Sequence, residues 1–321
     1  MLKTLRQTAY QLYRIGRGTI RHIKIQRASE SHLNSIAAEL IRNTHSIEKG
    51  LSIRNPRLGF GHTKQKDMMK RICTLEKHDS SYYEEVCRMA AAALREYVNY
   101  HRSCGYHDEM IDEIEAFLGT RESLFSSADE KYGGTETLDR SEINFDLDYI
   151  EEFFRTRHSI RDFADEKIDD QQLMKALKLA QRAPSACNRQ AVRVHVLGEK
   201  TKNLILGQLE GVGGFQKEVG KYVMITAKIS SYRSSEINQY IVSASMYAAY
   251  LTLTLHAYGF GACVIQRDVT WNRHWDSLRK KLGISKDEQI VCLIAVGNLK
   301  DTCRIPVSHR LDCDEIIKWY D

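Results

Sequence analysis

The feature that most constrains the fold is a change of pattern near residue 146. Before it, apolar residues recur at helical spacing, as in residues 31–50. After it, helical segments alternate with short β-branched runs such as Val192–Leu197. This change predicts an α+β chain in which a helical N-terminal domain, residues 1–140, precedes a layered sheet domain, residues 146–321.

Individual elements follow from periodicity and from glycine and proline, although only three prolines interrupt the chain. The helix over 31–50 is expected to end at Gly50 as a C-terminal cap. The polar stretch 119–145 is predicted to be a linker. A helix over 237–258, apolar nearly all round, is expected to be buried centrally or at a subunit interface. The other predicted helices span 64–78, 81–103, 107–118, 148–155, 169–183, 201–209 and 273–282, and the predicted strands span 192–197, 222–227, 262–265 and 289–296.

Composition excludes several classes of protein. No apolar run reaches about 18 residues, so no membrane-spanning helix is expected, and no secretory signal is evident. The eight cysteines show neither C-x-x-C pairs nor zinc-ligand spacing. We therefore expect a cytoplasmic protein with reduced thiols and no metal site.

The N-terminal segment, residues 1–29, is basic and contains no acidic residue. A basic segment with interleaved apolar residues suits an anionic membrane surface or a nucleic acid. The alternative is a solvated, poorly ordered arm, because chain termini commonly fray. We keep peripheral membrane contact as a hypothesis and expect no nucleic-acid partner. The basic residues are Lys3, Arg6, Arg14, Arg17, Arg21, Lys24 and Arg27.

Three segments after residue 146 point to chemistry. The first, Arg157–Arg161 (RHSIR), is called the arginine segment below. In extended backbone, residues 157, 159 and 161 point to one side and present two guanidinium groups with a hydroxyl. Guanidinium groups match phosphate geometry, which suits a phosphate-bearing cofactor. The alternative interpretation is a solvated basic turn.

The second segment, residues 183–190 (APSACNRQ), is called the amide loop. Pro184 should stop the preceding helix, and the loop then crowds Ser185, Asn188 and Gln190 together. Side-chain amides both donate and accept hydrogen bonds, as the edge of a heterocycle such as isoalloxazine requires. Taken alone, the loop is better explained as an ordinary helix-to-strand turn.

The third segment, residues 258–267, carries Gly259 and Gly261 between the long apolar helix and a strand. A Rossmann turn has the reverse order, from strand to helix, so this is not a dinucleotide fingerprint. Phosphate-loop, zinc-protease and nucleophile-elbow motifs are also absent from the sequence, which disfavours the corresponding hydrolases.

In this order the three segments resemble the nitroreductase family of FMN flavoproteins over residues 146–321. The resemblance implies a mixed sheet flanked by helices and an intertwined homodimer with FMN at the interface. Reduced NAD(P)H and a small-molecule acceptor would use the same flavin face in turn. The resemblance is carried by RHSIRDF, APSACNRQ, KYVMITAK, GFGACVIQ, IVCLIAVGN and the terminal Arg310.

The resemblance also implies a set of FMN-binding residues. The arginine segment and a terminal arginine would hold the phosphate, ribityl chain and ring edge, the amide loop would line the ring, and the end of the third segment would face flavin N5 through its backbone. No residue is nominated as a catalytic base, because the flavin carries the electrons. The implied residues are Arg157, His158, Ser159, Arg161, Pro184, Ser185, Asn188, Ile265, Gln266 and Arg310.

Departures from the family pattern suggest a role for the first domain. Ala191 and Val192 replace a frequent Pro-aromatic pair, and Ser308 replaces a frequent lysine. Segment 228–236 is too short to form the helical insertion that covers the flavin in many members. Another part of the chain would then have to exclude water from the site.

The strongest candidate for this cover lies in residues 42–62, which are dense in polar groups beside glycines. We predict that this segment lies over the FMN face of its own or the partner chain, with His45 and Glu48 on the substrate side. The alternative is a helix end followed by a surface loop.

Three functions are compatible with these features. The first is an FMN-dependent NAD(P)H oxidoreductase, and the second is a catalytically quiet flavin-binding or regulatory protein on the same scaffold. The third is a membrane-surface or nucleic-acid adaptor that depends on residues 1–29. The first two require the arginine segment and the amide loop to converge on one flavin.

Overall fold

The computed structural model describes residues 2–29, 32–125, 132–205, 209, 211–266 and 273–320. Within these ranges the chain forms ten α-helices and four strands, and the predicted α+β class is confirmed. The helices are α1 (Leu2–Ser29), α2 (Leu33–Ser52), α3 (His62–Leu75), α4 (Ser81–Ser103), α5 (Glu109–Gly119), α6 (Leu147–Thr156), α7 (Asp170–Ala180), α8 (Glu199–Lys202), α9 (Gln239–Ala257) and α10 (Arg273–Lys281). The strands are β1 (Val192–Leu197), β2 (Lys221–Lys228), β3 (Phe260–Gln266) and β4 (Glu288–Asn298).

Helices α2 to α5 pack around a hydrophobic core of their own. The core contains fully buried side chains such as Leu40, Ile72 and Leu94. The predicted cap at Gly50 is wrong, because α2 continues through it to Ser52. Gly50 serves close packing instead, since a Cβ at this position would overlap the Phe60 ring.

The sheet has the strand order β1-β2-β4-β3, and every neighbouring pair of strands is antiparallel. A single parallel bridge, Ser159 to Ala262, adds the arginine segment to the β3 edge and makes the sheet mixed. Strands β2 and β4 lie centrally and are buried on both faces. One face packs on α7 and α9, and the other packs on α10 and on Ile205, Val212, Phe215 and Val219.

Helix α9 is held to the sheet and to α7. The Tyr247 hydroxyl donates to the Leu177 carbonyl at 3.1 Å, and Gln172 Nε2 donates to the Tyr258 carbonyl at 3.0 Å. The opposite side is exposed in this chain and carries Val242, Met246 and Tyr250. The helix therefore buries one face and leaves an exposed apolar stripe on the other in the described part of the chain.

Helix α1 packs on the sheet half of the chain rather than on α2 to α5. Gln26 Nε2 donates to the Ile229 carbonyl at 2.5 Å, and His22 stacks on Tyr240 with ring centroids 5.4 Å apart. Arg21 donates to the Lys286 carbonyl at 2.8 Å. The expectation of a poorly ordered arm is wrong, because these contacts anchor the C-terminal half of the helix.

The remaining connections are irregular. In the predicted linker 119–145, the structure describes short 3₁₀ turns at Glu122–Phe125 and Arg140–Glu142, and residues 126–131 lie outside the described part. The helix predicted over 201–209 is shorter and earlier, at Glu199–Lys202, and residues 206–208 of that prediction are not among the described residues.

No helix in the described part of the chain is long and apolar enough to cross a membrane. The same residues contain no group of three or more His, Cys, Asp or Glu side chains with the arrangement of a metal site.

Gly297 on β4 provides a test of how Phe163, two residues after the arginine segment, packs against the sheet. A Cβ there would lie 2.5 Å from Cδ1 of Phe163, whose ring is buried against the strand. Gly297→Ala should therefore lower the free energy of unfolding by about 1–3 kcal/mol in urea titrations. Gly119→Ala is the control, because nothing lies within 4 Å of the added carbon. Equal stability of both variants would contradict the packing argument.

Candidate functional site

The arginine segment is attached to the outer edge of β3. The Ile160 amide donates to the Ala262 carbonyl at 2.9 Å, beside the parallel bridge from Ser159 to Ala262. Ile160 itself is buried, whereas Arg157, His158 and Ser159 are half-buried. The buried isoleucine thus fixes the segment and leaves its polar side chains at the surface.

Among the residues that the structure describes, the guanidinium groups of this segment have no acidic partner. Arg161 Nη1 donates only to the Ser159 carbonyl, at 3.3 Å, and within the described ranges neither Arg157 nor Arg161 forms an ion pair. In contrast, nearby Arg155 pairs with Glu152 at 2.6 Å. Two uncompensated cations side by side repel each other, so the arrangement favours an anionic ligand such as a phosphate.

His256, near the C-terminal end of α9, borders the arginine segment. Its Nε2 lies 3.0 Å from the Thr156 hydroxyl. Burial lowers the pKa of His256, and the positive charges of Arg157 and His158 lower it further. A neutral imidazole here adds no positive charge and can exchange hydrogen bonds with a ligand beside the arginines. The sequence analysis missed His256, whose only sequence signal is a polar residue near the end of an apolar helix.

The end of β3 is an open backbone edge. Because Ala262 directs its carbonyl toward the arginine segment, the alternation of a strand turns the backbone groups of Val264 and Gln266 to the same side. Gln266 is exposed, whereas the Ile265 side chain is buried in the core. The Gln266 backbone can therefore meet a ligand on this side, whereas the backbone of Ile265 faces the paired strand β4, so Ile265 does not fit its predicted role.

The amide loop has an unusual backbone. Cys187, Asn188 and Gln190 adopt φ values of 51°, 53° and 49°, in the left-handed region that residues other than glycine rarely enter. Each such residue costs about 1 kcal/mol or more, so surrounding contacts must hold the loop. The Ser185 hydroxyl accepts the Gln190 amide at 3.1 Å, and the Ser243 hydroxyl on α9 accepts the Ala186 amide at 3.2 Å.

A buried ion pair joins the amide loop to the segment that precedes α9. Arg189, only 2% exposed, donates to both carboxylate oxygens of Glu236 at 2.9 and 2.6 Å and lies over the Tyr232 ring. Burial by itself would raise the pKa of Glu236, but the hydrogen bonds from Arg189 and the Arg233 amide, together with the positive charge of Arg189, lower that pKa. The sequence analysis missed this pair, because 47 residues separate its members.

The helical half of the chain covers this loop. Helix α2 contacts the 3₁₀ turn Ala186–Asn188 and the segment Ile229–Ser231. Glu39 on α2 accepts from Arg233 at 2.9 Å and from Arg42 at 2.7 Å. Helix α2 therefore lies over the short segment that precedes α9, where the sequence analysis noted a missing insertion.

His45 and Glu48 lie farther along α2. Their side chains are 3.5 Å apart, Nδ1 to Oε2, and the Gly134 amide donates to Glu48 at 3.3 Å. Glu48 thus contacts the connection between the two halves of the chain. No hydrogen bond or ion pair joins these two side chains to a sequence-predicted flavin residue in the described structure.

Within one chain, the arginine segment and the amide loop do not converge. The amide loop bonds to Ser243 near the start of α9, and the arginine segment borders His256 near its end. Thirteen residues of helix separate these positions by about 20 Å. A single chain therefore presents the two groups of predicted ligand residues as separate half-sites.

Arg310 lies outside both half-sites. Residues 304–320 are exposed throughout, and Arg310 donates only to the Ser308 carbonyl, at 2.7 Å. Among the described residues, no contact joins Arg310 to the arginine segment. Its predicted contact with a phosphate would require the C-terminal tail to reach a second chain.

The Glu39 cluster predicts an acid-sensitive contact between α2 and segment 228–236. Burial would raise the pKa of Glu39, but hydrogen bonds from Arg233 and Arg42 lower it from 4.5 to about 2. The stabilisation is thus present above pH 4.5 and is lost as the pH falls toward 2. Glu39→Gln should reduce stability at neutral pH and flatten its dependence between these limits, as measured by urea unfolding. Parallel pH profiles of both proteins would contradict this assignment.

Comparison with known proteins supplies independent information on this region. Residues 154–240 match the profile of the Nitroreductase family, a range that includes the arginine segment and the amide loop. No curated protein matches the chain.

Solved structures similar to this chain cover about half of it. An FMN-dependent nitroreductase from Clostridium difficile R20291 is 25% identical, with a TM-score of 0.45, over 53% of this chain and 98% of the other. A nitroreductase family protein from Streptococcus pneumoniae TIGR4 is 19% identical, with a TM-score of 0.46, over 53% and 100% of the two chains. A nitroreductase in complex with FMN from Desulfovibrio desulfuricans is 17% identical, with a TM-score of 0.45, over 54% and 96%.

Proposed function

We propose, from the premise that residues 154–240 form a nitroreductase-family segment, that this protein is an FMN-dependent oxidoreductase that uses NAD(P)H to reduce a small-molecule acceptor. The observation that carries the proposal is the pair of uncompensated guanidinium groups beside the open end of β3. These features supply a phosphate-binding group and a backbone edge on one surface.

The donors present fit FMN. Arg157 and Arg161 offer charge-assisted hydrogen bonds to a phosphate, and Ser159 offers a hydroxyl between them. Backbone groups of Gln266 and its neighbours offer the donor and acceptor that a flavin edge requires. The amide loop supplies Asn188, whose side chain both donates and accepts. We infer that these residues bind FMN, with Pro184 and Ser185 forming the wall beside Asn188.

We infer further that the functional unit is a homodimer. The half-sites lie about 20 Å apart along α9, so the arginine segment of one chain must meet the amide loop of the other. The exposed apolar stripe Val242, Met246 and Tyr250 lies between them and offers the surface for association. The extended tail that carries Arg310 would then close on the phosphate from the second chain.

Bound FMN would accept a hydride from NAD(P)H and pass the electrons to the acceptor. The chain itself contributes position and charge. Arg157 and Arg161 would neutralise the phosphate, and the strained amide loop would hold its amides in one orientation. Neutral His256 would complete the hydrogen bonds at the border of the phosphate without adding charge.

We propose that the helical domain, residues 1–140, covers the active site formed mainly by residues 146–321. The contact of α2 with the Ala186–Asn188 turn supports this role, because the cover then lies directly against the amide loop. His45 and Glu48 would border the acceptor. Replacing both with alanine should change acceptor turnover while FMN content stays constant, and unchanged turnover would contradict the substrate role. We place the enzyme in the cytoplasm, because its cysteines are unpaired.

The decisive test is purification of the full chain followed by flavin analysis. The proposal predicts a yellow dimer with one FMN per chain, whose absorbance bleaches anaerobically on addition of NADH or NADPH. A dimer that binds FMN but is reduced by neither nucleotide would support the alternative, a catalytically quiet flavin protein. A colourless protein that cannot be reconstituted with FMN would contradict both.

Sharing of the site between chains can be tested by mixing variants. Arg157→Ala/Arg161→Ala removes one half-site, and Asn188→Gly removes the amide of the other while keeping the positive φ that this position needs. Each variant alone should bind FMN weakly. Refolding an equal mixture should restore part of the binding, because each heterodimer contains one intact site. If the mixture bound FMN no better than the single variants, the two half-sites would belong to different ligand sites.

A further inference from the structure

Helix α1 has an apolar stripe that faces away from the protein. Leu5, Leu12 and Ile20 are 60%, 65% and 54% exposed. At 100° per residue they fall within a sector of about 80°, on the side opposite Ile25, which packs against the core of the sheet half. Every side chain from Thr4 to Tyr13 is exposed, so the N-terminal half of the helix projects from the body that its C-terminal half contacts.

Cations border this stripe along one side. Arg6, Arg17 and Lys24 follow each other at helical spacing on the flank next to the leucines. The helix contains no acidic residue. Pairing of α1 with its counterpart in a second copy would bring these like charges together, which disfavours the helix as a self-association surface.

The same flank opens into a cationic cavity at the base of the helix. The cavity has a volume of about 560 Å³ and lies between α1 and the region of α10. Arg17, Arg21 and Lys24 line one wall. The opposite wall is formed by Arg279, Lys280 and Lys286, with Asp276 as the single acidic residue of the lining.

Arg279 marks this cavity as suited to an anion. Only 6% of the residue is exposed, and Asp276 accepts from its Nη2 at 2.7 Å. Its Nε is buried and has no hydrogen-bond partner in the described structure. Desolvation and the nearby charge of Arg279 also lower the pKa of Arg21. An anion in this cavity would relieve the repulsion among these cations.

We propose that α1 and the cavity at its base form a docking surface for an anionic phospholipid bilayer, independent of the flavin site. The leucine stripe would enter the boundary between headgroups and acyl chains, and the cations on its flank would contact lipid phosphates. The cavity would hold one headgroup phosphate. A nucleic acid fits less well, because it would leave the apolar stripe in water.

The test is sedimentation of the full chain with vesicles. We expect binding to phosphatidylcholine vesicles that contain phosphatidylglycerol, weak binding to pure phosphatidylcholine, and loss of binding as salt rises from about 0.1 to about 0.5 M. Equal binding to both vesicle types, or none to either, would overturn the proposal.

Variants separate the contributions of the stripe, the flank and the cavity. Leu5→Ser/Leu12→Ser should weaken vesicle binding about tenfold or more, because both side chains insert. Two double variants remove cations, Arg6→Gln/Arg17→Gln from the flank and Lys280→Gln/Lys286→Gln from the cavity. Each lost cation should weaken vesicle binding by about fivefold. The matched control, Lys77→Gln/Lys175→Gln, removes two exposed lysines elsewhere and should bind like the wild type.

Two further outcomes distinguish the alternatives. In the first, the protein binds a DNA or RNA oligonucleotide tightly and in a salt-sensitive way but does not bind vesicles, and Leu5→Ser/Leu12→Ser retains the oligonucleotide binding. This result would identify a nucleic-acid surface and overturn the proposal. FMN content should be the same in all variants. If the protein bound vesicles but contained no flavin, the result would support the docking surface and contradict only the proposed enzymatic function.

Discussion

Replacing both Arg157 and Arg161 with alanine is expected to abolish FMN binding without unfolding the protein. Neither side chain has an acidic partner in the described structure, so their removal leaves no buried charge uncompensated. A charge-assisted hydrogen bond contributes about 1.5–3 kcal/mol, which corresponds to about a tenfold to hundredfold loss of affinity per arginine. Titration of the apoprotein by flavin fluorescence would measure the effect.

Arg155→Ala is the matched control for this double variant. Arg155 lies two residues before Arg157, but it is strongly exposed and pairs with Glu152 on the same helix. Its removal should leave FMN affinity within about twofold of the wild type, because exposed ion pairs contribute little. Equal losses of FMN affinity in the two variants would show that the arginine segment acts only through its net positive charge and not through specific contacts with FMN.

Replacing Glu236 with alanine is expected to destabilise the protein by about 3 kcal/mol, because it leaves the Arg189 charge buried and unpaired. The Arg189 side chain is 1% exposed, whereas that of Glu236 is 26% exposed. Arg189→Met should therefore cost less, since the remaining carboxylate can reach water and still accepts the Arg233 amide at 2.8 Å. Urea unfolding of both variants would reveal this asymmetry.

The double variant Arg189→Met/Glu236→Ala should be more stable than the sum of the two single losses predicts, as expected for one coupled pair. Glu152→Ala provides a control for an exposed carboxylate that pairs with an arginine. If Glu236→Ala were no more destabilising than this control, the buried pair would have no role in holding the amide loop.

The periodicity of the sequence predicted most elements. Strand β1 and helix α4 have the predicted bounds, and α9 and β4 deviate by only one or two residues at either end. These elements were predictable because burial of one face leaves a local repeat in the sequence. The Asp169 cap was also predictable, since its carboxylate accepts the amides of Gln171 and Gln172 within the next turn.

Contacts between residues far apart in the sequence could not be predicted from periodicity. Gly50 has the sequence signature of a helix end, yet it lies inside α2 because the Phe60 ring occupies the space of its missing side chain. The Arg189 to Glu236 pair joins residues from two separate segments. Neither arrangement leaves a repeat or a spacing that can be read along the chain.

The candidate site likewise has features that the sequence predicts and features that only the tertiary structure shows. The sequence by itself determined which residue types are available: guanidinium groups at Arg157 and Arg161, amides in residues 183–190, and a basic helix at the N-terminus. Only the tertiary structure decided that the first two groups lie at opposite ends of α9, that α2 covers the amide loop, and that the leucines of α1 face outward. The physical reason is that chemical identity and periodicity are local properties, whereas the distance between two segments depends on how every element between them packs.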